Sequence, residues 1–89
     1  MTFSSDSSKI RDFRKQYSEG DYENAIVNLK KVTDKQMDFE YGNAAYYLAQ
    51  SYRKAGDPTS AAPFYQYIVE NYPNTERART AINYVEVTQ

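Results

Sequence analysis

A short block of residues occurs twice in this sequence, and this repeat constrains the fold more than any other feature. Residues 20–25 read GDYENA, and residues 56–61, which lie 36 positions further on, read GDPTSA. A large residue follows each closing alanine after four positions, Leu29 in the first copy and Tyr65 in the second. A unit of about this length that repeats is typical of helix–turn–helix units stacked into a solenoid.

The spacing of apolar residues predicts five helices joined by short turns. Each segment repeats its apolar side chains with the period of one helix face, and glycines and prolines mark the main breaks. No segment shows the convincing alternation of a strand. The predicted helices are residues 6–19, 22–33, 39–55, 59–71 and 75–87. The chain is therefore predicted to be all-α.

Pro63 lies within the fourth predicted helix. A proline there removes one backbone N–H bond and crowds the residue four positions earlier. We therefore predict that this helix begins late or with a distorted first turn, and that Thr59 is its N-terminal cap.

The composition excludes the commonest catalytic and metal sites. The sequence has no His and no Cys, which removes Ser–His triads, thiolate nucleophiles and zinc sites with imidazole or thiolate ligands. The carboxylate cluster of Asp34, Asp38 and Glu40 lacks the glycine and the spacing of a calcium loop, so we interpret it as a solvated connection. An enzyme based on carboxylates or Tyr is the alternative, but no converging pair falls on one helix face. We predict a protein that is not an enzyme, with no cofactor and no metal.

The charge balance favours proteins as partners. Eleven basic and twelve acidic residues leave a formal net charge of −1, which gives no general attraction to nucleic acid. No apolar run approaches the roughly 20 residues of a membrane-spanning helix. We therefore expect a protein or peptide partner, no nucleic acid, and no membrane insertion in this segment. The serine-rich start of the chain is typical of a linker, or of the end of a piece of a longer protein.

The second copy resembles the tetratricopeptide repeat family, whose 34-residue consensus runs W-x₂-L-G-x₂-Y, then A-x₃-F, then P. The matching positions in residues 42–75 are Ala45 at Trp, Leu48 and Ala49 at Leu-Gly, Tyr52 at Tyr, Gly56 at the turn, Ala61 and Tyr65 at A-x₃-F, and Pro73 at Pro. In this pattern Ala49 and Ala61 mark where two helices approach too closely for a larger side chain. The resemblance implies a right-handed superhelical stack of antiparallel helix hairpins.

The unit around the first copy, residues 6–41, matches this family less well. Asp12 and Phe13 stand at its Leu-Gly positions, and no proline closes it. We therefore divide the chain into four parts. They are a flexible N-terminal end at residues 1–5, a divergent unit at 6–41, a full unit at 42–75 and a closing helix at 76–89.

The resemblance also implies a binding surface. Members of the family usually hold peptides in a concave groove lined by the first helix of each unit. The groove residues implied here are Arg14 and Tyr17 in the first unit, Asn43, Tyr46, Gln50 and Arg53 in the second, and Arg77 and Tyr84 in the closing helix. These residues mix Tyr, Arg and amides, and Tyr and Arg are enriched at binding hot spots.

The expected function is that of a scaffold that binds a peptide or a folded protein through this groove. The alternative is self-association, because about three repeats are usually needed for stability and this chain has about two. Residues 72–75, followed by Ala78 and Ala81, resemble the end of bacterial envelope-associated tetratricopeptide proteins. This second resemblance favours the extracytoplasmic envelope of a bacterium over the cytoplasm.

Overall fold

The computed structural model describes residues 15–85, and all regular secondary structure in that range is helical. The elements are α1 (residues 15–18, with its start outside the described range), α2 (Tyr22–Lys35), α3 (Asn43–Lys54), α4 (Pro58–Asn71), α5 (Glu76–Ala81) and a 3₁₀ turn (Ile82–Tyr84). Helix α3 packs between α2 and α4, and α4 packs against α5 and the 3₁₀ turn. The prediction of an all-α stack of helix hairpins is confirmed. The expectations for residues 1–14 and 86–89 lie outside the described residues.

The two Gly-Asp turns have the same geometry. The glycine has a positive φ in both, +83° at Gly20 and +93° at Gly56. Its N–H donates to the carbonyl three residues back, and the N–H of the next aspartate donates to the carbonyl five residues back, at 2.8–3.1 Å. These are the two bonds of the Schellman motif, which ends a helix with a left-handed residue, usually glycine. The recurring sequence block therefore forms the same turn twice.

Asp57 begins α4. Its side chain accepts a hydrogen bond from the Ser60 N–H at 3.2 Å, and Pro58 occupies the first helical position, where its missing N–H removes no helical bond. The helix then continues through Pro63 to Asn71. The predicted late start with a Thr59 cap was wrong, because Asp57 supplies the cap two residues earlier.

The chain adopts left-handed backbone at residues 40–42, with φ of +54°, +58° and +84°. Such a conformation costs about 1–2 kcal/mol for a residue other than glycine. Because residues 40–42 have this conformation, α3 begins only at Asn43. The prediction that the third helix starts near residue 39 was therefore wrong by four residues. Arg77 on α5 stabilises the loop at residues 40–42, because its Nη2 donates to the carbonyl oxygen of Tyr41 at 3.0 Å.

The closing helix is also shorter than predicted. Thr75 caps α5 by accepting from the Ala78 N–H at 3.2 Å, but the α-helix ends at Ala81. A single 3₁₀ turn follows where the sequence predicts helix to residue 87. This turn places Tyr84 against α4.

Small residues line the contacts between helices. One buried cluster lies between α2 and α3, and a second joins α3, α4 and α5. The first comprises Ala25, Leu29, Ala44 and Leu48, and the second comprises Ala45, Ala49, Ala61, Tyr65, Ile68, Ala78 and Ala81. Because seven of these eleven buried residues are alanines, the helix backbones can approach closely.

The substitution Ala61→Leu tests this close packing. Ala61 is 1% exposed, so the extra atoms have no free volume and the free energy of unfolding should fall by about 1–3 kcal/mol. Chemical denaturation measures the change. The control is Ala55→Leu at the exposed end of α3, where an effect within about 0.5 kcal/mol is expected. Equal effects at both sites would contradict the packing described here.

Gly42 gives a second test, because it is both left-handed and enclosed. A Cβ atom at Gly42 would lie 2.5 Å from Cε2 of Tyr72 and 3.0 Å from Cδ1 of Ile68, whereas one at Gly56 would meet nothing within 4 Å. Gly56→Ala should therefore cost only the backbone strain of about 1–2 kcal/mol, and Gly42→Ala should cost more. Thermal unfolding of both variants checks the order, and a smaller loss for Gly42→Ala would refute it.

Candidate functional site

Three side chains form a closed set of hydrogen bonds on α3 and α4. Gln50 and Arg53 are three residues apart on α3, so they share a helix face. Arg53 donates from Nε to the Tyr65 hydroxyl at 3.0 Å and from Nη2 to Oε1 of Gln50 at 3.1 Å. The Tyr65 hydroxyl donates to the same Oε1 atom. We call these three residues the polar triad. Each member contacts the other two, so none can move alone without losing hydrogen bonds.

Two further tyrosines attach to the polar triad from either side. Nε2 of Gln50 donates to the Tyr17 hydroxyl at 3.5 Å, which connects α1 to α3. On the other side, Cζ of Arg53 lies 4.3 Å from the centroid of the Tyr84 ring, a cation–π distance. The rings of Tyr84 and Tyr65 stack with centroids 5.0 Å apart. The polar triad thus joins α1, α3, α4 and the 3₁₀ turn.

A continuous row of tyrosine rings runs through this region. Each ring contacts the next with centroids 5.0–6.3 Å apart, within the range of favourable aromatic pairs. We call it the tyrosine row, and its members in order are Tyr22, Tyr17, Tyr47, Tyr46, Tyr65 and Tyr84. Tyr65 is fully buried, whereas the other five are partly exposed. The row therefore contains one buried ring, Tyr65, between partly exposed rings.

The ionisation of these groups reflects their surroundings. Burial raises the pKa of the Tyr65 hydroxyl, and the hydrogen bond and charge of Arg53 oppose this without cancelling it. Burial also raises the pKa of Tyr17, with the nearby Tyr22 adding to the effect. The hydrogen bond to Tyr65 raises the pKa of Arg53. At neutral pH the site therefore carries a positive guanidinium among neutral phenols.

Five of the residues implied by the family resemblance come together here: Tyr17, Tyr46, Gln50, Arg53 and Tyr84. Two others do not join them. Asn43, at the first position of α3, donates from Nδ2 to Oε1 of Glu40 at 3.2 Å, and Arg77 holds the loop at Tyr41. Arg14 lies outside the described residues.

The role of the Tyr65 hydroxyl was not predicted from the sequence. Tyr65 stands at the large core position of A-x₃-F, which explains its ring but not its hydroxyl. A Tyr at a position where the consensus has Phe was the available signal, because a buried hydroxyl needs a partner. Tyr22 and Tyr47, which complete the tyrosine row, were also not among the predicted groove residues.

Within residues 15–85 no group of three or more Asp and Glu side chains is placed to hold a metal ion. In the same range no helix combines the length and the apolar character needed to cross a bilayer.

The stacked hairpins and the twice-used turn define the class, a helical-repeat protein. A family model of the tetratricopeptide repeat matches residues 43–75, which contain α3, α4 and the turn after them. Residues 43–75 therefore form a tetratricopeptide repeat, and the resemblance of this unit to that family is confirmed. No curated protein and no solved structure shows significant similarity to the chain.

The substitution Tyr65→Phe tests the polar triad. It keeps the buried ring but removes the hydroxyl that joins Gln50 and Arg53, and a hydrogen bond to a charged group contributes about 1.5–3 kcal/mol. The free energy of unfolding should fall by about that amount. Tyr41→Phe is the matched control, since Tyr41 is 80% exposed and should change stability by less than about 0.5 kcal/mol. If the two variants are equally stable, the hydroxyl contributes nothing.

The raised pKa values predict loss of stability in alkali. Well below pH 10, Tyr17 and Tyr65 are protonated in both the folded and the unfolded state, so their contribution to stability is fully present. Above it the unfolded chain loses tyrosine protons that folded Tyr17 and Tyr65 retain, so the free energy of unfolding falls. Urea unfolding between pH 9 and 11 should show a shallower fall for Tyr65→Phe than for the wild type. Parallel curves would show that Tyr65 does not cause the effect.

Proposed function

We propose that this protein is a non-catalytic interaction module that binds a protein or peptide segment through the surface formed by the tyrosine row and Arg53. Tetratricopeptide repeats are protein-interaction units, which supports the general role. The single observation that carries the specific proposal is the polar triad. It holds Arg53 in place beside the rings of Tyr65 and Tyr84, while Arg53 and Tyr84 stay partly exposed. Side chains ordered in advance lose less conformational entropy on binding.

The free hydrogen-bonding capacity of Arg53 indicates the chemistry of the segment. Two of its five N–H groups are used, one by Tyr65 and one by Gln50. The remaining donors and the positive charge suit a carboxylate, and the rings beside them suit an apolar side chain. The module should therefore prefer a segment with Asp or Glu beside an apolar residue. A net charge of −1 and one Arg in the site favour such a partner over nucleic acid.

The other implied residues have secondary places in this proposal. Asn43 and Arg77 lie near the N-terminal end of α3, one on that helix and one on α5. We assign them to the far end of the binding surface. Arg14 and the bacterial-envelope location stay predictions.

A displayed library of random peptides tests the proposal without knowledge of the native partner. Peptides selected on the wild-type protein should be enriched in Asp or Glu next to an apolar residue. Tyr46→Ala combined with Arg53→Ala should weaken these peptides by roughly 30-fold or more, the effect of losing about 2 kcal/mol at a hot spot. Circular dichroism of the double variant must show retained helicity.

Two controls make the result specific. Arg79→Ala removes an exposed arginine from α5, so it matches the change in charge. Glu70→Ala removes an exposed side chain from α4 that accepts a hydrogen bond from Gln66, one turn earlier on the same helix. Both should bind the selected peptides as the wild type does. If the double variant binds normally and Glu70→Ala does not, the binding surface is the face that carries Glu70 and not the tyrosine row.

Self-association is the second candidate function, and it is favoured by one observation. Ile82 in the 3₁₀ turn is 53% exposed at the end of the stack, where a following helix or a second copy would cover it. Sedimentation at several concentrations should then show a dimer for the wild type and a monomer for Ile82→Ser. A wild-type monomer at every concentration would exclude this candidate.

A further inference from the structure

The described residues end at Val85, next to Tyr84, so the residues that follow start at the proposed binding surface. They are residues 86–89, with the sequence EVTQ. We infer that this segment occupies the Arg53 end of the surface when no partner is bound, with the Glu86 carboxylate on the Arg53 guanidinium. A partner must then displace the segment. This inference rests on the proposed function, since it concerns the same surface.

The position of Tyr84 is the first observation. Its ring stacks on the ring of Tyr65 with centroids 5.0 Å apart, and Cζ of Arg53 lies 4.3 Å from its centroid. Val85 packs against the same buried cluster. These contacts hold residues 84 and 85 beside Arg53. Two residues span at most about 7 Å, so Glu86 begins close to the guanidinium and its carboxylate can reach it.

The charge of Arg53 is the second observation. Within residues 15–85 its hydrogen bonds go to the Tyr65 hydroxyl and to Oε1 of Gln50, and both groups are neutral at neutral pH. These bonds leave three of its five N–H groups for another acceptor. Hydrogen bonds between a guanidinium and a carboxylate are roughly twice as strong as bonds between neutral groups. Glu86 is the first carboxylate that follows Tyr84 in the chain.

The sequence around Glu86 matches the ligand chemistry of the surface. Glu86 stands between Val85 and Val87, so it is a carboxylate beside apolar residues. The same pattern is proposed for the partner, because the guanidinium suits a carboxylate and the rings suit an apolar side chain. The chain therefore carries a segment of the proposed ligand type directly next to its own binding surface.

The short connection makes a weak contact effective. Because Glu86 is two residues from Tyr84, its effective concentration at Arg53 is on the order of millimolar or above. An exposed ion pair is weak, so a partner that also contacts the tyrosine row can displace it. A surface that is free in only a fraction of the molecules binds more weakly by that fraction. We therefore expect the segment to weaken partner binding roughly threefold to tenfold without abolishing it.

The rival occupant is the same segment from a second copy of the chain. Binding between copies depends on protein concentration, whereas a contact within one chain does not. At micromolar protein, the attached segment has the advantage of its effective concentration on the order of millimolar. The short connection therefore favours the contact within one chain.

Titration of the Glu86 carboxyl group by NMR tests the contact in the full chain. A neighbouring positive charge favours the carboxylate, so the pKa of Glu86 should be lower in the wild type than in Arg53→Gln, by about 0.5 or more. Arg53→Gln keeps an amide that can donate to Tyr65. Lys54→Gln is the matched control, because it removes an exposed positive side chain from the next position of α3. It should change the pKa of Glu86 much less.

Peptide binding tests whether the segment covers the surface. The probe is an acidic–apolar peptide selected from the displayed library, and calorimetric titration measures its affinity. Glu86→Gln should bind it roughly threefold to tenfold more tightly than the wild type, because the competing contact is lost. Glu76→Gln removes an exposed carboxylate from α5 and gives the same net charge, so it should bind as the wild type does.

The other outcomes overturn the inference in distinguishable ways. If the pKa of Glu86 is the same in the wild type and in Arg53→Gln, the segment does not contact Arg53, and the peptide library alone decides the proposed function. If this pKa is lowered but Glu86→Gln binds the peptide no more tightly, the contact leaves the surface open, so this inference is wrong and the proposed function stands. If no peptide binds either protein, both are wrong.

Two further results are also decisive. If the lowering of the Glu86 pKa grows with protein concentration, the occupant comes from a second copy and this inference is wrong. If circular dichroism shows that Arg53→Gln is unfolded, a synthetic peptide of residues 84–89 replaces it as the reference. A pKa of Glu86 in the wild type no lower than in that peptide would then overturn the inference.

Discussion

The close approach of α3 to its neighbours is the constraint on which the rest of the structure depends. Alanines at the helix contacts, above all Ala49 and Ala61, are almost completely buried, so the backbones are separated by little more than methyl groups. At this separation the hydroxyl of Tyr65, on α4, reaches Gln50 and Arg53 on α3. A larger residue at either alanine would move the two helices apart and break the polar triad. The packing of the core and the geometry of the polar triad therefore have one cause.

The parts of the fold that local chemistry determines could be predicted from the sequence. The Gly-Asp pairs encode a turn that needs only a left-handed glycine and a following helix start, and neither glycine depends on a tertiary contact. The period of the apolar residues encodes the helix faces in the same local way. For this reason the repeat, the helices between the turns and the all-α class could be derived before the structure.

Tertiary contacts explain what the sequence could not show. The left-handed segment at residues 40–42 includes Tyr41, whose own propensity opposes that conformation, and the stabilising bond comes from Arg77 more than thirty residues away. In the polar triad, Gln50 and Arg53 are residues that the family resemblance implied, but their connection through Tyr65 was not predicted. A hydroxyl on a core residue has no periodic signature, so its role becomes visible only when the opposing helix is in place.

Tyr65 is both a core residue and a member of the polar triad. Its ring is part of the buried cluster and its hydroxyl is part of the polar triad. Any substitution of Tyr65 therefore alters both the stability of the fold and the geometry of the polar triad. Tyr46 and Tyr84 contact that ring from partly exposed positions, and their side chains can contact a ligand directly. A protein of this size has few residues that are not needed for its core. Building the polar triad on a buried tyrosine lets one side chain stabilise the stack and also order the surface that we propose binds a partner.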